Sequence, residues 1–533
     1  MRFRLPSLTV TFLVIILLPT TGISAVPGVY AITGGRVHRV SGPPLENATV
    51  IIRSGLIEQV GTNITPPTDA TVIDARGEHV YPGLIDALTS IGLPAAETRR
   101  PGGAETRASE PRLELAPSLV VARSLKLTDE LLDGRRAIGV TTVLIAPTSG
   151  ILNGQAAILN LASDRPESRL LRSPAALVVA FNPRSSQTFP DSLMGVVAHL
   201  RQTFLDAKRY VSANEIYDKN PAGKERVEQS ADLDALRPVM TRELPVIFVA
   251  DSDLLMSRSL EIAREMNLRP ILASARQSYA FVDQIVAAAV PVLVSVNFPK
   301  PSKDEKADAD LPLRLLRERV LAPTSAAVLA QKKVQFGLVS NGASADDFMD
   351  GVRLAIKAGL SPDAALRALT LAPAEILGIA RQVGSIDPGK IANIIISAKP
   401  LFDDAVKPKM MFVDGRIVRL PKPEEKKADG AATTSGESSW SLVLQTPEGA
   451  SNIRVTTRGE SGSLTGTFSG DAGSGEIRDG SLTGDKLQFT ITIQVPGSET
   501  SDWRFDGTIS GSTLTGTATS NAGTFSFTGS RPQ

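Results

Sequence analysis

Catalysis near neutral pH draws mainly on imidazoles, thiols and paired carboxylates, and this 533-residue chain is poor in the first two. It has no cysteine and three histidines, His38, His79 and His199. Thiolate nucleophiles, thiolate metal sites and disulfides are thereby excluded. No Gly-x-Ser-x-Gly elbow occurs, and a serine nucleophile would need a base that three scattered histidines supply poorly. Carboxylates remain. Asp251-Ser252-Asp253 and Asp346-Asp347 follow apolar runs and could offer oxygens to a hard cation. Against this, Ser344 to Asp347 has the spacing of a helix capping box. Neutral amides form a second set: Asn153 and Gln155 after a strand-like run, Asn297 at the end of Val292 to Val296, and Asn341 after Leu338-Val339-Ser340. Amides hydrogen-bond a ligand without ionising, which suits binding, and they also serve as plain loop caps.

The elements that would position these groups fall into distinct stretches. Arg2 and Arg4 precede an apolar run from Leu8 to Leu18 and the small residues of Ile23-Ser24-Ala25, the pattern of a secretory signal over residues 1–25. A soluble periplasmic or secreted protein with no membrane span is expected after cleavage. The formal net charge of +1 favours neither nucleic acid nor an anionic membrane surface. Short strands with frequent turn signals fill residues 26–80 and 382–420 and predict a β-sandwich built from both flanks. Between them, residues 81–381 alternate apolar runs with helical patterns, which predicts an α/β fold with a parallel sheet, and the length suits a (β/α)8 barrel. Residues 421–438 read as a flexible linker. Residues 439–533 turn to Gly, Ser and Thr with period-two alternation, and the loose repeat Ser463–Gly466, Ser481–Gly484 and Thr513–Gly516 is expected to begin strands. Six to eight antiparallel strands would make an all-β small barrel or sandwich, with Trp440 and Trp503 in its core.

Asp74 to Gly92 contains Tyr81-Pro82-Gly83-Leu84-Ile85-Asp86. This resembles the crossing from sandwich to barrel in the amidohydrolase superfamily, Pro-Gly-(Leu/Phe)-Ile-Asp-x-His-x-His. Gly384-Ser385-Ile386-Asp387-Pro388-Gly389-Lys390 resembles the family's return strand, with Asn393 where that strand usually has Asp, and Gly139-Val140-Thr141-Thr142-Val143 resembles a segment of its imidazolonepropionase-like branch. The resemblance implies a composite sandwich, a (β/α)8 barrel, a divalent metal such as zinc as the norm, and hydrolysis of carbon-nitrogen bonds other than peptide bonds. Carried over strand by strand, the family's metal-binding positions fall on Leu88, Ser90, Val249, Ser274 and Asn341. None of these holds zinc well.

On this reading no cofactor is expected. The leading function is a degenerate cell-envelope member whose barrel mouth binds a small molecule or a partner through Asn153, Gln155, Asn297 and Asn341. Pro299 to Asp310 would form a loop over that mouth. One alternative is an active hydrolase of a cyclic amide or related bond with a non-standard site. Another is a structural envelope protein, which a mouth filled by its own side chains would favour. Oligomers are compatible with either.

Overall fold

The computed structural model describes residues 28–93, 115–147, 150–162, 170–182, 190–301, 311–404, 406–418 and 420, and then 438–446, 449–460, 463–470, 473–493, 501–510, 513–520 and 523–530. The expected signal segment and nearly all of the expected linker lie outside these residues, as does most of the loop from Pro299 to Asp310. The chain divides into two compact units, Met1–Lys422 and Pro423–Gln533.

The first unit opens with β1 (Tyr30–Val37), β2 (Leu45–Arg53), β3 (Leu56–Gly61), β4 (Thr71–Asp74) and β5 (His79–Pro82). Barrel strands follow: β6 (Leu84–Thr89), β7 (Val140–Ile145), β8 (Leu152–Asn160), β9 (Leu170–Ala180), β10 (Val246–Val249), β11 (Pro270–Ala273), β12 (Val292–Ser295) and β13 (Phe336–Val339). Then β14 (Ile394–Ser397), β15 (Met410–Val413) and β16 (Arg416–Val418) return to the opening sheet, whose order is β16-β15-β14-β5-β1-β2-β3 with β4 on β1. Ile394, Ile395 and Ile396 pair antiparallel with Pro82, Tyr81 and Val80, so segments from both flanks of the barrel close one core around Ile32, Val50, Ile52, Val80 and Phe412.

The switch from sheet to barrel happens at Gly83. An added Cβ there would strike the Thr141 side chain, so the close approach requires glycine. Asn393 braces the same junction. Its Nδ2 donates to Thr142 Oγ1 (3.2 Å) and Asn160 Oδ1 (3.0 Å), and its Oδ1 accepts from Asp414 N (2.9 Å).

Barrel strands are apolar on both faces, as strands covered by helices must be. Along β10, Val246 and Phe248 face the outer layer of helices while Ile247 faces the barrel interior with Ile85, Leu144, Ile158, Val178, Ile271, Leu293 and Val339. Outside, Ser252, Ser344 and Ser361 accept from the backbone N–H groups of Leu255, Asp347 and Ala364 and start helices Asp253–Glu265, Ala345–Lys357 and Pro362–Ala368.

The barrel departs from the all-parallel expectation at one strand. β8 runs antiparallel to both β7 and β9. Ile145 and Leu152 bracket only a short connection, and a parallel return needs a crossover of a dozen or more residues. As a result Asn153 and Gln155 begin a strand rather than follow one, and Asn153 reaches the mouth from the N-terminal end of β8.

In the second unit, β17 (Ser438–Thr446), β18 (Gly449–Glu460), β19 (Ser463–Gly470), β20 (Gly473–Thr483), β21 (Lys486–Ile493), β22 (Ser501–Ser510), β23 (Thr513–Ser520) and β24 (Gly523–Ser530) form a closed barrel in sequence order. Trp440, Phe489, Phe505 and Phe527 fill it. Trp503 is half-buried beside Phe525, with ring centroids 5.7 Å apart. Two copies of the Leu-Thr-Gly repeat begin strands as expected, but Ser481–Gly484 ends β20 and enters the turn to β21. The repeated glycines mark close strand approach: a Cβ at Gly466 or Gly516 would strike the carbonyl of Thr456 or Asp506.

Candidate functional site at the barrel mouth

A cavity of about 330 Å³ opens where barrel strands end, and Leu88, Ser90, Val249, Ser274 and Asn341 all line it. Apart from Leu88 and Ser90, these positions lie far apart in the chain. The barrel gathers them because each sits at or just beyond a parallel strand's C-terminal end. Phe181 and Asn182 after β9, Asp251 after β10, and Asn153 complete much of the wall. The sequence reading missed Phe181 and Asn182. Their only signal was position just past the apolar run of β9.

The four amides behave differently from one another. Asn153 and Asn341 line the cavity, whereas Gln155 is buried and donates through Nε2 to Pro117 O (3.0 Å). Asn297 does not line it either: its Nδ2 donates to Asn341 O (3.3 Å), so it supports the loop instead. Asn341 Nδ2 in turn donates to Ser274 Oγ (2.9 Å). Both Asn341 (φ 45°) and Ser274 (φ 64°) are left-handed, a conformation that costs most L-residues energy and that clusters at binding sites. Asn153 is 2% exposed, donates to Pro147 O (3.1 Å), and leaves Oδ1 buried without a hydrogen-bond partner.

Beneath the mouth, Asp86 is fully buried. Its Oδ1 accepts from Ser340 N (3.0 Å) and its Oδ2 from Ser340 Oγ (2.6 Å), with Arg135 Nη1 at 3.5 Å. Arg135 Nη1 lies within ion-pair range but makes no hydrogen bond, so we read the contact as a charge interaction only. Burial pushes the Asp86 carboxyl up, opposed by Arg135 and the Ser340 donors.

At the rim, Arg276 lies between two carboxylates. Its Nη2 donates to Asp251 Oδ2 (3.1 Å), and its Nε is 3.3 Å from Glu318 Oε1. Asp253, Asp346 and Asp347 do not line the cavity. Asp253 Oδ1 accepts from Leu254 N (2.7 Å), and Asp347 pairs with Lys300, so these are helix-start and surface groups.

Residues 272–418 match the amidohydrolase family. The chain carries an amidohydrolase family domain. An amidohydrolase from Thermotoga maritima MSB8 superposes with a TM-score of 0.64 at 23% identity, covering 74% of this chain and all of that one, which supports the barrel-and-sandwich fold. A putative prolidase from Bifidobacterium longum covers 74% of this chain and 96% of that chain at 14% identity, with a TM-score of 0.45. Adenine deaminase 2 of Jannaschia sp. (strain CCS1) is 36% identical over 92 residues, 16% of this chain. That stretch spans 14% of the deaminase's own length.

The amidohydrolase match corrects the expectation of no cofactor. Proteins of the matched family are typically metal-dependent, so a divalent metal is that family's norm. The donors of this mouth do not fit one. Asp251, already bonded to Arg276, is the sole carboxylate among the described lining residues, and none of these is a histidine. Among the described residues no group of three His, Cys, Asp or Glu side chains converges. His38 and His79 face each other in the opening sheet, Nε2 to Nδ1 at 3.1 Å, and His199 lies in helix Leu193–Lys219. No chemical step can be routed through a metal on this donor set.

Proposed function

We propose that this amidohydrolase-family protein binds a small molecule at its barrel mouth without the family's hydrolysis. The observation that carries the reading is the gathering of Leu88, Ser90, Val249, Ser274 and Asn341 on one open cavity. Where the family resemblance places metal ligands, these side chains are apolar, hydroxylic or amide. Hydrolysis needs an activated water, and a hydroxyl or amide neither ionises water nor takes its proton near neutral pH. What remains suits recognition: an aromatic wall from Phe181, apolar sides from Leu88, Val249 and Leu255, and a few fixed polar atoms. An open cavity of this size argues against a purely structural role. We further propose that the protein acts in the cell envelope after loss of residues 1–25, which N-terminal sequencing of the fractionated protein tests by finding Val26.

The function is tested by a thermal-shift screen of small molecules beside a turnover assay with adenine and with cyclic amides, each run with and without added zinc. Ligands that raise the melting temperature with no product formed are the expected result. Turnover that Asp251→Asn abolishes would overturn the proposal in favour of an active hydrolase with a non-standard site.

A further inference from the structure

Two residues of the mouth, Asn153 and Asp251, each keep an acceptor oxygen that no donor of the protein is shown to fill. Pro147 O accepts only, so the Asn153 amide must turn Nδ2 toward it, and the amide orientation follows from chemistry rather than from choice. That leaves Oδ1 of Asn153, a residue of the cavity wall, as a buried acceptor with no donor. A buried carbonyl oxygen without a partner costs about 1–3 kcal/mol, and a ligand N–H placed beside it would recover that cost.

Charge at the rim points the same way. Arg276 is one guanidinium shared between Asp251 and Glu318, so the group carries a net single negative charge. Arg276 engages Asp251 through Oδ2, which leaves Oδ1 for a ligand. An anion would be repelled by these two oxygens even though the hydroxyls of Ser90 and Ser274 stand in the same wall, and a neutral amide carries no charge to answer Asp251. Phe181 adds aromatic surface to the same wall, against which the flat apolar part of such a ligand can pack.

We propose that the mouth selects organic cations bearing N–H groups, the amidinium, guanidinium and ammonium class, with Asn153 Oδ1 and Asp251 Oδ1 as the recognising atoms. The inference rests on the mouth being a small-molecule site and names the class that site takes. The test is isothermal titration calorimetry of the full mature chain with four probes of one size: benzamidine, its neutral analogue benzamide, its anionic analogue benzoate, and trimethylphenylammonium, a cation without N–H. Benzamidine is expected to bind at least tenfold more tightly than the other three. Asp251→Asn and Asn153→Leu are each expected to weaken it at least tenfold, and if Asn153→Leu does not fold, Asp251→Asn decides. Benzamide or benzoate binding most tightly would overturn the class while leaving the mouth a binding site. Benzamidine affinity unchanged in Asp251→Asn would overturn it as well. Equal binding of trimethylphenylammonium would reject N–H recognition, and no binding by any probe would overturn both this inference and the reading beneath it.

Discussion

Ser340 gives both its backbone N–H and its hydroxyl to the carboxylate of Asp86, at 3.0 and 2.6 Å. Ser340 follows the last strand of the barrel and Asp86 stands on the first, where no regular ladder joins β13 to β6. Asn341 N also donates to Leu88 O (3.1 Å), so the seam is closed by these bonds and by packing. Ser340 immediately precedes Asn341 and Asp86 lies two residues before Leu88. The same carboxylate therefore closes the barrel and sets the position of two residues that line the cavity.

Replacing that carboxylate should be severe. Asp86→Ala strands Ser340 N–H, Ser340 O–H and the Arg135 guanidinium in a dry site, and losing one partner of a buried charged group costs about 3–5 kcal/mol. Asp86→Asn keeps an acceptor and should cost less. Urea denaturation read by far-UV circular dichroism checks both, and a loss below about 1 kcal/mol for Asp86→Ala would show that the seam does not depend on this group.

Gly154 holds φ at 106° on β8, and an added Cβ would sit 2.6 Å from Leu119 O and 2.9 Å from Leu119 Cβ. Gly154→Ala must therefore either strain the backbone or push the 115–124 segment off β8. About 2 kcal/mol or more of stability should be lost. Because Asn153 is its neighbour, ligand binding at the mouth should fall further than stability alone explains, which calorimetry at a temperature well below melting would resolve.

Burial, with His79 and Arg36 nearby, lowers His38 to about 4. The unfolded chain binds that proton near 6.5, so between these values the unfolded state holds more protons and stability falls as pH drops. The contribution is complete above about pH 6.5 and gone below about 4. Asp363 opposes the shift, Tyr81 stacks on the ring at 4.3 Å, and His79 titrates low for the same main reason, burial. Discounted for a half-exposed site, the effect should be about 1 kcal/mol. His38→Phe should flatten that part of the pH-stability curve, and an unchanged slope would assign it to other groups.

Phe505 is fully buried in the second unit, stacked on Phe489 at 4.8 Å and tilted against Phe527 at 5.2 Å. Phe505→Ala should cost that barrel about 3–5 kcal/mol through lost contacts and an unfilled cavity. Differential scanning calorimetry of the full chain should show one transition moving down and the transition of the first unit staying in place. A joint shift of both would mean that the two units unfold as one.

How much of this was legible in the sequence differs from element to element. Pro82-Gly83 before Leu84-Ile85-Asp86 marked the passage from sheet to barrel, because a turn pair followed by an apolar run is a local signal and needs no partner to be read. Serine three residues before a free N–H fixed the helix starts at Ser344 and Ser361 in the same local way. The scarcity of imidazole and the absence of thiol are counts, and folding does not alter them. The direction of β8 was not legible: an apolar run looks the same whichever way it pairs, and only the shortness of the link after Ile145 enforces the reversal. Nor could the sequence separate Asn153 and Asn341, which line the cavity, from Gln155 and Asn297, which brace loops. All four are amides after or within apolar runs. Which of them keeps an oxygen without a donor depends on atoms brought together from distant parts of the chain, such as Pro147, Pro117 and Ser274, and only closure of the barrel decides that.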